Sequence, residues 1–288
     1  MNKGYGRTKS LKILFGSVVY GKAEKYLPAF FSSMNRQTNG NFSVLLINDD
    51  INSVELQKMV SRYSFEAEIL HMPGKTPVQL RIELLKSAKY RQADLLIMGD
   101  SDDYFSDTRV KNIVDKYMEK PDSGFYYNEL TDIFGRKIMP ELPKCIHRFE
   151  EIGEYNFLGL SNTALNMNKI SCEFIDSLRE YHGEIFDWYL FSRLLLEEIY
   201  GVKVDGCSTI YRLHENNIAG IQDFNQQNIN REIEVKRKHY NSLRKYDLYY
   251  EKKYDQYQHL KECERLANQT EHFWWNLLSC IEEGIDYE

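Results

Sequence analysis

Three carboxylates fall within four residues directly after an apolar segment. Asp100, Asp102 and Asp103 follow the apolar run at residues 93–98, separated from it only by Gly99. Such a cluster is costly because its members repel one another, unless a cation or ordered solvent lies among them. Carboxylate oxygens suit Mg²⁺ or Mn²⁺, which also bind substrate phosphates. The cluster predicts a divalent metal site, and a solvated turn capping the next helix is the alternative.

Two weaker signals lie in the same half of the chain. Asp49 and Asp50 end another apolar run, where a carboxylate could accept hydrogen bonds from a nucleobase or a ribose hydroxyl. A pair of acids at the start of a helix is the alternative. Arg81 lies one turn into a helix, with Lys75 just before that helix, and both could contact a diphosphate or lie on the helix surface.

Strand and helix signals alternate around these residues. Capping patterns at Asn52–Glu55 and Thr76–Gln79 predict helices between the apolar runs, and the runs themselves predict strands at residues 13–20, 42–47, 68–72 and 93–98. This alternation implies a mostly parallel sheet flanked by helices. In such sheets ligands bind beyond the carboxyl ends of the strands, and both acidic groups lie at those ends.

From about residue 106 the pattern becomes mixed α+β. It predicts a helix near Val110, Ile113 and Tyr117, followed by a strand at residues 124–127 and a turn at 134–137. Helices are then expected at about 170–181 and 186–200, and a strand at 202–213. Beyond Gln222 the composition predicts a helical appendage.

Composition and charge exclude several classes of protein. The chain has 37 Lys and Arg against 43 Asp and Glu, a net charge of −6, so we expect no nucleic-acid partner. Five widely spaced cysteines without a C-x-x-C pair predict neither a disulfide framework nor a zinc site, and they fit a reducing compartment. No segment approaches the ~18 apolar residues of a membrane span. We therefore expect a cytoplasmic protein.

Several segments together resemble the family 2 glycosyltransferases of the GT-A fold. The resemblance covers roughly residues 11–220 and rests on Val18-Val19-Tyr20-Gly21, on Tyr26-Leu27-Pro28 with Ser32 and Gln37, on Leu46-Ile47-Asn48-Asp49-Asp50, and on a "D-x-D-D" motif in residues 94–103. It implies a Rossmann-like, mostly parallel central sheet flanked by helices, to which we add the C-terminal helical appendage. It also implies transfer of a sugar from a nucleoside-diphosphate sugar to an acceptor hydroxyl.

The resemblance assigns roles to the motif residues. Asp50 would contact the base, Asp100 the ribose, and Asp102 or Asp103 the Mn²⁺ or Mg²⁺ on the diphosphate. The rest of the expected donor site consists of Val19, Tyr20, Arg81 and Ser101. The sequence departs from the family at Ile51-Asn52, where Gly-Ser is frequent.

Two later segments extend the resemblance. Asp187 resembles an acidic residue that heads a helix and serves as the catalytic base of an inverting displacement, and Glu184 is the alternative. His214, within Tyr211-Arg212-Leu213-His214-Glu215-Asn216-Asn217, would approach the metal or the diphosphate. The residues expected on the acceptor side are Ser161, Asn162 and Trp188.

The resemblance also predicts how the chain is organised and what it binds. We expect a nucleotide-sugar-binding half at residues 1–105, an acceptor-binding and catalytic half at 106–222, and the appendage at 223–288. The acceptor would be a saccharide or lipid-linked saccharide in bacterial-type surface polysaccharide or glycan assembly. A nucleotidyltransferase, or a non-catalytic nucleotide- or carbohydrate-binding module on the same fold, is the alternative.

The appendage carries two further expectations. Its basic, Tyr-rich part, residues 231–253, could contact an anionic membrane at the inner face, although most such runs are solvated helix faces. Its Phe273-Trp274-Trp275 cluster requires burial. The appendage is therefore expected to pack on the body or to pair with a second copy in a homo-oligomer.

Overall fold

The computed structural model describes residues 10–139, 141–212 and 226–259. The first part comprises β1 (Ile13–Val19), a 3₁₀ turn (Gly21–Tyr26), α1 (Leu27–Asn35), β2 (Ser43–Asn48), α2 (Ser53–Val60), β3 (Ala67–His71), α3 (Pro77–Tyr90) and β4 (Leu95–Met98). The remainder comprises β5 (Tyr104–Phe105), α4 (Arg109–Glu119), β6 (Phe125–Thr131), β7 (Cys145–Ile146), a 3₁₀ turn (Phe149–Ile152), β8 (Thr163–Asn166), α5 (Cys172–Ser177), a 3₁₀ turn (Leu178–Glu180), α6 (Phe186–Leu196), β9 (Gly201–Ile210), α7 (Gln226–Leu243) and α8 (Leu248–His259).

The described strands form one mixed sheet. Their order is β3-β2-β1-β4-β8-β6-β9-β5, with β7 paired to β9. The expected parallel arrangement is present in β3, β2, β1 and β4. The second half of the sheet differs, because β8 runs antiparallel to both β4 and β6, whereas β6 and β9 are parallel.

This topology brings several strand ends to one edge. Since β8 opposes β4, the start of β8 lies beside the end of β4, and the parallel strands β1 and β2 end at the same edge. The strand β6 also opposes β8, so β6 and its parallel neighbour β9 end there too. The acidic motif after β4 therefore faces the residues that precede β8.

Local sequence signals explain the helices that flank the first strands. Thr76 accepts a hydrogen bond from the Gln79 backbone while the Gln79 side chain accepts one from the Thr76 backbone, and Pro77 occupies the first turn. The Asn52 side chain accepts from the backbone N–H groups of Val54 and Glu55. Both predicted helix starts are confirmed.

The sheet buries an apolar core on each face. Leu14 and Phe15 are neighbours on β1 but belong to different clusters, since successive side chains of a strand point to opposite faces. Phe15 packs in the cluster that includes residues of α1, α2 and α4, and Leu14 in the one that includes residues of α3, α5 and α6. Burial on both faces explains why this strand is a continuous apolar run.

The described part of the appendage, α7 and α8, lies on the face that carries α6, whereas Phe273-Trp274-Trp275 lies outside the described residues. Its cations pair with acidic residues of the body, in the pairs Lys238–Glu184, Lys245–Glu180 and Lys253–Glu154. These pairs engage three of the eight Lys and Arg residues at 231–253, and the structure lends no support to a membrane contact there. None of the described helices is long and apolar enough to cross a bilayer.

Candidate active site

The loop after β4 begins with a glycine against which two aromatic rings pack. A Cβ at Gly99 would lie 2.5 Å from the Phe105 ring and 2.9 Å from the Phe15 ring, which is closer than any side chain tolerates. The loop then closes on itself through a hydrogen bond from the Asp103 N–H to the Asp100 carbonyl (3.1 Å). The backbone thus places three carboxylates together at the edge of the sheet.

Asp100 joins this loop to two other elements. Its N–H donates to Oγ of Ser161 (3.2 Å), which lies just before β8. Its carboxylate lies 3.9 Å from Nη2 of Arg81 on α3, and 41% of its side chain is exposed. The pKa of Asp100 is raised to about 6 because the carboxyl is recessed among protein atoms and lies beside Asp102, whereas Arg81 acts in the opposite direction.

Asp103 lies deeper than Asp100 and is 1% exposed. Its Oδ1 accepts a hydrogen bond from the Arg212 N–H (3.0 Å), and Nε of Arg212 donates to the Asp102 carbonyl (2.9 Å). The loop is thereby tied to the residues after β9. Burial and the neighbouring carboxylates of Asp102 and Asp100 raise the pKa of Asp103 well above its usual range.

The donor set of this loop fits a divalent cation. Oδ2 of Asp103 is buried and has no hydrogen-bond partner within the described residues, so it is available to a ligand. No group of three His, Cys, Asp or Glu residues in the described ranges could hold a metal by itself. One or two carboxylates suit an ion such as Mg²⁺ when water and substrate phosphates complete its ligands.

The ends of β1 and β2 form the next part of the edge. Tyr20 follows β1, and burial together with the carboxylates of Asp102 and Asp100 raises the pKa of its hydroxyl above the usual range. Asp50 lies at the same junction, where its Oδ1 accepts from the Gly21 N–H (2.6 Å). The Val19 carbonyl accepts a hydrogen bond from the Asp49 N–H (3.0 Å), which joins the end of β1 to the end of β2.

Asp187 lies close enough to the cluster to interact with it electrostatically. It lies in the first turn of α6, and its Oδ1 accepts from the Trp188 N–H (2.7 Å). Burial raises its pKa, and the positive charge of Arg81 opposes that effect. The Asp187 charge in turn raises the pKa of Asp100, so Arg81 interacts with both carboxylates.

Several side chains expected at the site lie behind its surface. Ser101, Asn162, Val19 and Trp188 are fully buried, and Nδ2 of Asn162 donates to the Asn128 carbonyl (3.1 Å). They pack beneath the acidic edge in this structure, and the ligand contacts predicted for them remain predictions. His214 lies outside the described residues.

Two arginines with roles at this edge were not singled out from the sequence. Arg109, the first residue of α4, is fully buried and donates through Nη2 to the carbonyls of Met98 (2.9 Å) and Ser161 (2.8 Å). Its guanidinium lies 4.6 Å from the centre of the Phe105 ring. A cation in the first turn opposes the helix dipole, and this anomaly could have identified it. Arg212 is the second.

Comparisons with known proteins come from sequence and from structure. Residues 17–154 match the family model described as Glycosyl transferase family 2. No curated protein matches the chain in sequence. Residues 1–349 of S. aureus TarS, in complex with UDP-GlcNAc, superpose with a TM-score of 0.58 at 14% identity, over 86% of this chain and 72% of that one.

Two further solved structures are similar in fold. The mannosyltransferase PcManGT from Pyrobaculum calidifontis, in complex with GDP-Man and Mn²⁺, gives a TM-score of 0.54 at 9% identity, over 83% of this chain and 65% of that one. GalNAc-T7 with UDP, GalNAc and Mn²⁺ gives 0.51 at 14% identity, over 72% of this chain and 45% of that one. Together with the mixed sheet and its flanking helices, these likenesses confirm the expected GT-A fold.

Proposed function

We propose, on the premise that this chain is a glycosyltransferase whose residues 17–154 belong to family 2, that it transfers a sugar from a nucleoside-diphosphate sugar to an acceptor hydroxyl with inversion. One observation carries the proposal. Four charged side chains from distant parts of the chain interact electrostatically at one edge of the sheet. They are Arg81 near the start of α3, Asp187 at the start of α6, and Asp100 and Asp103 in the loop after β4.

The donor would lie along the ends of β1, β2 and β4. In this proposal Asp50 contacts the base, Asp100 the ribose, and Arg81 the diphosphate. The hydrogen bond between Asp50 and the Gly21 N–H (2.6 Å) supports this arrangement, because it holds the base-binding carboxylate next to Tyr20. Arg81 provides a positive charge beside Asp100, where a diphosphate would need one.

Asp102 and Asp103 would hold the divalent cation, with His214 as a proposed further ligand. When bound, the ion would neutralise charge that develops on the departing diphosphate. The buried Oδ2 atom of Asp103 supports this role, since it has no hydrogen-bond partner in the described part of the chain. Arg212 would keep the Asp103 carboxylate aimed at the edge by binding its other oxygen.

Asp187 would act as the general base that removes the proton of the acceptor hydroxyl. Burial raises its pKa, which strengthens its affinity for a proton while Arg81 keeps it ionised. The alternative base, Glu184, is 54% exposed and forms an ion pair with Lys238 (3.0 Å). That pairing turns Glu184 towards α7 and favours Asp187.

The acceptor that we propose is a saccharide or a lipid-linked saccharide, in the assembly of a surface polysaccharide or glycan. The resemblance to family 2 glycosyltransferases supports this acceptor class. The sugar and the linkage follow from experiment alone, and the donors bound to the similar structures, UDP-GlcNAc and GDP-Man, are the first probes to use.

A thermal-shift panel tests donor and metal together. The protein is heated with UDP-GlcNAc or GDP-Man, each with Mn²⁺ or with a chelator. A donor present at about 100 times its Kd adds roughly 2.7 kcal/mol to the free energy of unfolding. We expect this stabilisation with Mn²⁺ only, and equal stabilisation in chelator would refute the metal role.

Two variants make the panel specific to the acidic loop. Asp102→Ala combined with Asp103→Ala should abolish the Mn²⁺-dependent stabilisation. Asp107→Ala is the matched control, because Asp107 is an exposed carboxylate nearby that pairs with Arg36 instead (3.2 Å). Product analysis then identifies the reaction class, since a glycosyltransferase releases nucleoside diphosphate and a nucleotidyltransferase releases pyrophosphate.

A further inference from the structure

The residue next to the proposed base is held by the C-terminal appendage. Trp188 directly follows Asp187, and its ring stacks on His239 of α7 with centroids 4.0 Å apart and planes 20° apart. Both rings are buried, with Trp188 at 0% and His239 at 1% exposure. The start of α6 is therefore packed against α7 at the position adjoining the reactive carboxylate.

Neighbouring contacts hold the same region in place. Nε1 of Trp188 donates to the Ile152 carbonyl (2.6 Å), and the Tyr240 hydroxyl donates to the next carbonyl, that of Gly153 (3.0 Å). Lys238 pairs with Glu184 (3.0 Å), three residues before Asp187. Consecutive residues of α7, from Lys238 to Tyr240, thus contact both segments that enclose the tryptophan.

The start of α6 has little local means of fixing its own geometry. Ile185 precedes the helix and forms no side-chain cap bond, although a good cap satisfies N–H groups that the first turn leaves open. The Ile185 N–H instead donates to the Tyr181 hydroxyl (3.0 Å). Packing against α7 adds to the constraints that the Tyr181 hydroxyl and the Ile152 carbonyl place on the first turn, and with it on Asp187.

His239 contributes a flat neutral ring to this packing. Burial, with the nearby charge of Lys236, lowers the pKa of His239 to about 3, so the ring is uncharged at neutral pH. Neither ring nitrogen has a hydrogen-bond partner in the described ranges. Since the ring is uncharged and forms no hydrogen bond with the described residues, its contribution is its flat face. We therefore expect another flat ring of similar size to serve equally well.

We propose that His239 is a positioning residue for sugar transfer, which holds Trp188 and thereby orients the Asp187 carboxylate towards the acceptor. In this proposal the appendage helps to set the geometry of the active site. This inference rests on the proposed function, because it takes Asp187 to be the base.

The test compares His239→Leu with His239→Phe in the full chain. Leucine fills the space without a ring face, and phenylalanine restores the face. We expect turnover, measured as release of nucleoside diphosphate from UDP-GlcNAc or GDP-Man, to fall about 10- to 100-fold in His239→Leu, since small misplacements of reacting groups cost this much. The donor KM should stay within about twofold, and His239→Phe should recover most of the turnover.

A matched control separates positioning from general destabilisation. Leu243 is also fully buried and lies one turn further along α7. Leu243→Ala should lower the Tm at least as much as His239→Leu while leaving kcat near the parental value. Amide hydrogen exchange at residues 184–190 gives a readout without substrate, and we expect faster exchange in His239→Leu than in His239→Phe or Leu243→Ala.

Two results would overturn the inference. One is parental kcat in His239→Leu, and the other is equal loss of kcat in His239→Leu and His239→Phe. Asp187→Asn is assayed beside these variants. Full turnover in Asp187→Asn refutes the base assigned in the proposed function, whereas loss there with full turnover in His239→Leu refutes the positioning role alone.

Discussion

The sequence left two candidates for the catalytic base, Asp187 and Glu184. We expect Asp187→Asn to lower turnover by about 10²–10⁴-fold, because a positioned base contributes that much and an amide of the same shape cannot accept the proton. Donor affinity should persist, since the diphosphate contacts lie on other residues. Glu184→Gln is the control, and it should lose only the ion pair with Lys238. Loss of transfer in that variant, with near-parental transfer in Asp187→Asn, would make Glu184 the base.

Arg81 supports a prediction about pH. Its positive charge lowers the pKa of Asp187 against the effect of burial, so Arg81→Met should raise that pKa. A base with a higher pKa is ionised only at higher pH, and the acidic limb of the kcat/KM profile should therefore move to higher pH. Arg81→Lys keeps the charge and should leave the limb near its parental position. If Arg81→Met only weakened donor binding, kcat/KM would fall equally at every pH and the acidic limb would not move.

The residue scale shows what sequence patterns can and cannot predict. The place of the Asp100–Asp103 cluster at a strand end was predictable because carboxylates directly after an apolar run form a local pattern. Asp187 was singled out by the family resemblance, and its role as base stays a prediction. Arg109 was not predictable, because its partners are the carbonyls of Met98 and Ser161, which only the folded chain brings together. Its one local signal, a cation in the first turn of a helix, does not identify those partners.

Among the elements, β8 was not predicted from the sequence, and neither were the two-residue strands β5 and β7. The segment at residues 159–164 contains small polar residues that are typical of a turn, and the strand Thr163–Asn166 is only four residues long. Its position between β4 and β6 depends on long-range antiparallel pairing, which no local pattern encodes. The first four strands were predictable because each is a distinct apolar run separated by a well-capped helix or a turn.

Arg109 connects α4 with the strands around the site, which leads to a prediction about stability. Its Nε donates to Oδ1 of Asn128 on β6 (2.9 Å), and its Nη2 reaches the carbonyls of Met98 and Ser161. Arg109→Met would leave these buried acceptors without a charged donor, at a cost of about 3–5 kcal/mol in the free energy of unfolding. Lys111→Met is the control, because Lys111 forms an exposed pair with Asp115 on the same helix, and it should cost less than about 1 kcal/mol.

Urea unfolding followed by circular dichroism measures both variants. A loss below about 1 kcal/mol in Arg109→Met would mean that the buried acceptors find other partners. It would also remove Arg109 as the link between the acidic loop and β8.

For the molecule as a whole, the appendage explains a charge pattern that was ambiguous in the sequence. Three of the bases at residues 231–253 pair with acidic residues of the body. These exposed pairs contribute little individually, whereas the buried rings of Trp188, Tyr240 and Tyr250 form a shared apolar interface. The appendage and the body should therefore unfold together in one calorimetric transition.

A truncation after Gln222 tests the appendage at this scale. The shortened chain lacks α7 and α8, so the Trp188 ring face and the apolar surface around Ile152 become exposed to water. We expect a Tm well below that of the full chain and aggregation on concentration, because an uncovered apolar patch promotes association. Lys245→Ala is the control, since it removes one exposed pair with Glu180 and should change the free energy of unfolding by less than about 1 kcal/mol. A soluble truncated chain with the parental Tm would show that the body needs no cover on this face.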